Sequence, residues 1–204
     1  MNIWEQIPLR EKKDLLVAWI ALSAAFTLAM VWGRQFTPVI LLQFFLISLL
    51  TAGIAFVIHE MAHKFTAMKF GYWAEFQMNS LMLVVAVAMA ALMGIVFAAP
   101  GATMIYGQAI SRKENGIISI AGPLSNLILA VPFLGLYLLG PATGIGILGL
   151  IGLVGVKINA MIAAFNLLPI GPLDGAKILK WNPVIFAGIA LVAFGLLFAS
   201  LTWL

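Results

Sequence analysis

Of the 204 residues, 64% are hydrophobic and 9% charged, and the mean hydropathy is +1.13; a water-soluble domain carries roughly 25% charged residues, so this composition requires an integral membrane protein. The formal charge of +4 comes from few residues, mostly at the ends of apolar runs, where it reports topology rather than the basic stripe of a nucleic-acid binder. With no cysteine, the chain has no disulfide and no thiolate metal site.

Met1 to Asp14 is the most charged part, with Arg10, Glu11, Lys12 and Lys13 just ahead of a long apolar run, and reads as a short interfacial segment. Leu15 to Trp32 is about as long as a spanning helix and longer than the roughly 7 to 15 residues of a signal-peptide core. Lys12 and Lys13 place its start in the cytoplasm. After a turn at Gly33, Arg34 and Pro38, Val39 to Phe70 reads as one long helix ended by Gly71. Counting about 1.5 Å per residue from Val39, the chain has covered the hydrocarbon thickness by Ile58, so the residues that follow lie toward the cytoplasmic side.

Tyr72 to Met78 alternates with a period of two and reads as a strand, and Ala102 to Tyr106, after Pro100 and Gly101, reads as a second. Between them Leu81 to Ala99 is apolar enough to span. Ile117 to Leu139 is a further helix with Gly122 and Pro123 near its start; Ile145 to Leu168 follows Gly140 and Pro141, and Val184 to Leu204 closes the chain. The expected architecture is an all-α polytopic membrane protein of about five to six transmembrane helices, with a re-entrant segment and short strands near the site, built as a single core domain over residues 1–204.

His59-Glu60-Met61-Ala62-His63 is an H-E-x-x-H pattern inside an apolar helix. Its histidines are four residues apart, leave one helix face a turn apart and are placed to grip one metal ion. Glu60 is then free for proton transfer, against the plainer reading of an i to i+4 ion pair with Lys64. A catalytic zinc takes three protein ligands and keeps a position for water. Asp174, in a loop punctuated by Pro169, Gly171 and Pro172, is the natural third ligand; its plainer reading is a helix N-cap ahead of Gly175. Glu75 and Glu114 are lesser alternatives for that ligand.

Parity constrains the map. Three apolar segments separate the histidines from Asp174, and if all three crossed the bilayer Asp174 would emerge on the opposite side. One must turn back, and the cationic loop at Arg112 and Lys113 points to Leu81 to Ala99 as a re-entrant or tilted helix returning through the strand at Pro100 to Tyr106.

These residues resemble the site-2 proteases, intramembrane zinc metalloproteases of peptidase family M50. The resemblance rests on His59 to His63 in an early membrane helix, Gly122-Pro123 opening a later one, and Asn166-Leu167-Leu168-Pro169 with Leu173-Asp174-Gly175 after a third. It implies one zinc ion per chain held by His59, His63 and Asp174, with Glu60 as the acid and base. It also implies Asn166 as a support for the unwound backbone of a transmembrane-helix substrate, in regulated intramembrane proteolysis within the cell membrane. Asn126 is a second substrate-binding candidate, because its amide must find partners in an apolar helix. The chain departs from the family pattern in its long, apolar Leu81 to Ala99 segment, in having one clear span after Asp174, and in showing no PDZ or CBS module.

Along Ile145 to Leu168, Gly149, Gly152, Gly155, Asn159, Ala163 and Asn166 form one small and polar face, which suits close helix packing. Two other classes compete with the protease: a metal or ion transporter using the same cluster, and an inactive zinc-binding membrane protein. Transport requires polar stations through the full depth, whereas here they gather at one end, and an intact Glu60 argues against an inactive protein.

Overall fold

The structure is a computed structural model that describes residues 7–96, 100–107 and 109–202. Among the described residues five helices are long and apolar enough to cross a membrane, and the protein is a multi-pass membrane protein. Helix α1 (Leu9–Val31) is followed by α2 (Pro38–Ser48) and α3 (Ile54–Lys69), which a single π turn at Leu49–Gly53 joins into one continuous span. Thr37 caps α2 with its hydroxyl on the Ile40 N–H, and Pro38 follows at the first helical position, where no donor is needed. The π turn loosens carbonyls that α1 then satisfies. Trp19 Nε1 donates to Leu49 O at 2.9 Å and Ser23 Oγ to Ser48 O at 3.3 Å. A Cβ at Gly53 would run into the Trp19 ring.

Gly71, with φ +84°, ends α3 and turns the chain into β1 (Trp73–Met78). β1 pairs antiparallel with β2 (Gly101–Tyr106), Phe76 opposite Thr103. Helix α4 (Ser80–Met93) lies between them and has 14 residues, about 21 Å of rise and too short to cross. The Asn79 N–H donates to Pro100 O at 2.9 Å, so the segment leaves and rejoins the same hairpin. The chain therefore turns back within this segment, and the last residues of the predicted segment, 97–99, lie outside the described residues.

Helix α5 (Arg112–Thr143) opens on a capping box in which Ser111 and Glu114 satisfy each other's backbone donors. It runs through Pro123, Pro132 and Pro141 to Gly144, so the turn expected at Gly140-Pro141 falls three residues later. Helix α6 (Gly146–Asn166) packs against it closely. Gly140 faces Gly149, and a Cβ at Gly152 or Gly155 would strike the Tyr137 backbone or the Phe133 ring, as expected for close packing through small residues. Short helix α7 (Asp174–Trp181) and the last span α8 (Pro183–Thr202) complete the order.

One N-terminal charge departs from expectation. Glu11, read as interfacial, is fully buried inside α1, and Lys64 pairs with it rather than with Glu60. Residues 1–6 of that segment lie outside the described residues.

Candidate metal centre and active site

His59 and His63 lie on the face of α3 that packs against α5, and both are buried. Their rings are oriented from behind. His63 Nδ1 donates to Ile118 O at 2.8 Å, and His59 Nδ1 lies 2.6 Å from Asn126 Oδ1. A carbonyl oxygen only accepts, so each ring carries its proton on Nδ1 and keeps a lone pair on Nε2. The two Nε2 atoms are 3.1 Å apart.

Asp174 is brought to the same point by the turn from α6 into α7. Its Oδ2 is 3.5 Å from His59 Nε2 and 3.1 Å from His63 Nε2. Leu173, not Asp174, occupies the N-cap of α7, and no side chain makes a capping bond there, so the cap reading of Asp174 does not hold. Gly175 makes the approach feasible, because a Cβ there would meet the carbonyls of Leu167 and Leu168 at the end of α6. Lys177 Nζ stands 3.5 Å from the other Asp174 oxygen.

The donor set fits zinc. Two neutral imidazole nitrogens and a carboxylate oxygen all lie within 4.8 Å of one another. Ligands at about 2.0 to 2.1 Å in a tetrahedron stand about 3.3 Å apart, close to the spacings here. The hydrogen bonds on both Nδ1 atoms are the outer partners that zinc-binding histidines require. Gly122 completes the cradle, since a Cβ at that position would press on His59 Nε2 and His63 Nε2. Among the described residues no other group of acids and histidines converges in this way; Glu75 and Glu114 stand outside it.

Glu60 lines the cavity beside this trio, and its Oε2 accepts from the Thr103 N–H at 2.9 Å and from Thr103 Oγ1 at 2.8 Å. The cavity, about 320 Å³, is walled mainly by apolar side chains, among them Phe26, Phe56, Val96 and Phe165. Asn166 opens onto it while its Nδ2 holds Ile162 O at 3.0 Å. Asn126 is placed differently from the substrate contact expected of it. It is fully buried behind His59, and its Nδ2 is shared between Ala55 O and Asn159 Oδ1 at 3.1 and 3.0 Å. Asn159 in turn donates to Gly155 O.

The hairpin has one open edge. In the Phe76–Thr103 pair the backbone groups point away from the partner strand. On the β1 side they are taken up: Phe76 N–H by Glu11, Met78 N–H by Asp14 and Ala74 O by Lys64. The β2 side faces the cavity, where Gly101, Thr103 and Ile105 line the wall.

Apolar helices enclosing an H-E-x-x-H centre completed by a distant aspartate define a multi-pass membrane metalloprotease. Among proteins similar to this chain is one provisionally named zinc metalloprotease MJ0611, from Methanocaldococcus jannaschii, 37% identical and covering 95% of this chain and 96% of that one. Others carrying the same provisional designation are YwhC of Bacillus subtilis, 31% identical over 70% of each chain, and Rip2 of Mycolicibacterium smegmatis, 30% identical over 82% of this chain and 71% of that one. No family model and no solved structure matches the chain. The chain belongs to the site-2 protease family; it is a zinc-dependent protease with Zn²⁺ as its cofactor.

Proposed function

We propose that the protein cuts peptide bonds within or beside the transmembrane helix of membrane-protein substrates. The observation that carries this reading is the position of the centre: His59, Glu60 and His63 sit inside a 32-residue apolar span, beside an apolar cavity and an antiparallel strand pair. A centre so placed suits a peptide bond delivered in the bilayer better than one delivered from water.

His59, His63 and Asp174 would hold the zinc, which when bound would supply Lewis-acid polarisation and lower the pKa of water enough for it to lose a proton near neutral pH. Glu60 accepts a proton from the attacking water and returns one to the leaving amine nitrogen. A helical substrate has its carbonyls hydrogen-bonded, so it must be unwound first. The open β2 edge, through Gly101 and Ile105, offers an extended substrate segment main-chain partners, and the Asn166 amide supports it from the α6 side. Asn126 serves the reaction from behind, holding His59 in its metal-binding tautomer.

Arg10, Lys12, Lys13, Lys64, Lys69, Arg112, Lys113, Lys177 and Lys180 fall at the end of the bundle that carries the site, while Arg34 and Lys157 do not. This asymmetry supports a cell-membrane protein with its centre toward the cytoplasm. The test is to reconstitute the zinc-loaded protein with a single-span reporter whose helix is weakened by Gly and Pro, and to map the cut by mass spectrometry. A cut inside the hydrophobic segment is expected; cutting confined to water-exposed flanks would contradict the proposal.

A further inference from the structure

Nothing in the H-E-x-x-H pattern explains how Glu60 is aimed. An unheld glutamate samples many rotamers, and a proton carrier displaced by about 1 Å loses up to about 100-fold in rate. In this protein a residue 43 positions away does the holding. Thr103, at the centre of β2, places two donors on one oxygen, its N–H at 2.9 Å and its hydroxyl at 2.8 Å from Glu60 Oε2. The hydroxyl also lies 3.1 Å from the Glu60 carbonyl oxygen, but its single proton goes to the nearer Oε2. Among the described residues no other hydrogen bond reaches the Glu60 carboxylate, which leaves Oε1 without a protein donor.

We propose that Thr103 is a positioning residue for the reaction: its N–H and hydroxyl fix Glu60 Oε2, leaving Oε1 as the oxygen that takes the proton from water and passes it to the leaving amine. With the proton on Oε1, Oε2 becomes the carbonyl oxygen of the neutral acid and still accepts both bonds. The contact therefore survives both halves of the proton cycle, and the carboxyl group does not rotate between them. Because Thr103 belongs to the strand with the open edge, the same strand that would receive the substrate also aims the acid.

This inference rests on the reading of Glu60 as proton carrier, and the experiment separates the two. The reporter with the Gly- and Pro-weakened helix is cleaved by zinc-loaded wild type, Thr103→Val and Thr103→Ser in detergent, with kcat, KM, zinc content and melting temperature measured for each. Val keeps the shape and the backbone N–H but removes the hydroxyl; Ser keeps the hydroxyl. Thr103→Val is expected to lower kcat roughly tenfold with KM, zinc content and melting temperature near wild type, and Thr103→Ser to recover most of the rate. Thr103→Ala carries the same expectation as Val if Val does not fold. Wild-type kcat in the Val variant, a rise in KM alone, or an equal loss in the Ser variant would overturn the inference while leaving the protease reading intact. No cleavage by wild type, or undiminished cleavage by Glu60→Gln, would instead overturn the reading beneath it.

Discussion

Lys64 and Glu11 form a buried ion pair, Nζ to Oε2 at 2.6 Å, with both side chains almost wholly removed from solvent. The pair joins the start of α1 to the residue after His63. It also reaches the hairpin, because Lys64 Nζ donates to Ala74 O at 2.9 Å and Glu11 Oε1 accepts the Phe76 N–H at 3.0 Å. One clamp thus fixes three elements around the site and closes the outer edge of β1.

Breaking one side of this clamp strands a charge. Lys64→Met is expected to destabilise the protein by about 3 to 5 kcal/mol, and Lys64→Met with Glu11→Leu by much less, because desolvation of the lone ion is the main cost. Thermal unfolding in detergent measures both. A double variant as unstable as the single one would show that the pair's charge is not what matters.

Gly122 borders His59 Nε2 and His63 Nε2, and even a methyl group there would press on them. Gly122→Ala is expected to lower cleavage by about 100-fold through ligand displacement of about 1 Å, with the fold retained. Zinc content measured beside activity shows whether the metal is lost or only misplaced. Full activity would mean that α5 can draw back from the histidines.

Asn126 supplies the acceptor for His59 Nδ1 and is itself held by Asn159. Asn126→Leu keeps the volume and removes the acceptor, and zinc affinity is expected to fall about 10- to 100-fold. Competition against a chromophoric chelator reads this directly. Unchanged zinc affinity together with a raised KM would return Asn126 to the substrate-contact role that its sequence position suggests.

The parts of the site that were legible in the sequence are those with local spacing or a forced topology. His59 and His63 are one helical turn apart, and the parity of the spans required Leu81 to Ala99 to turn back for Asp174 to reach them. Thr103 gave no such signal: a threonine in a short strand looks like any strand residue, and its partner is 43 positions away. Glu11 reads as interfacial because charges beside an apolar run are usually solvated, and only the packing of α1 against the hairpin shows that it is buried with Lys64. For Asn126 the sequence showed an amide in need of partners, but not that His59 and Asn159 were those partners. The helix through Pro141 was obscured by a Gly-Pro pair that ordinarily marks a turn.

The most direct test is to measure zinc and proteolysis together in Glu60→Gln. The substitution removes the carboxylate proposed to carry the proton while sparing His59, His63 and Asp174. Stoichiometric zinc with cleavage of the single-span reporter reduced by several orders of magnitude is the predicted result. Zinc retained with cleavage undiminished would contradict Glu60 as the acid and base.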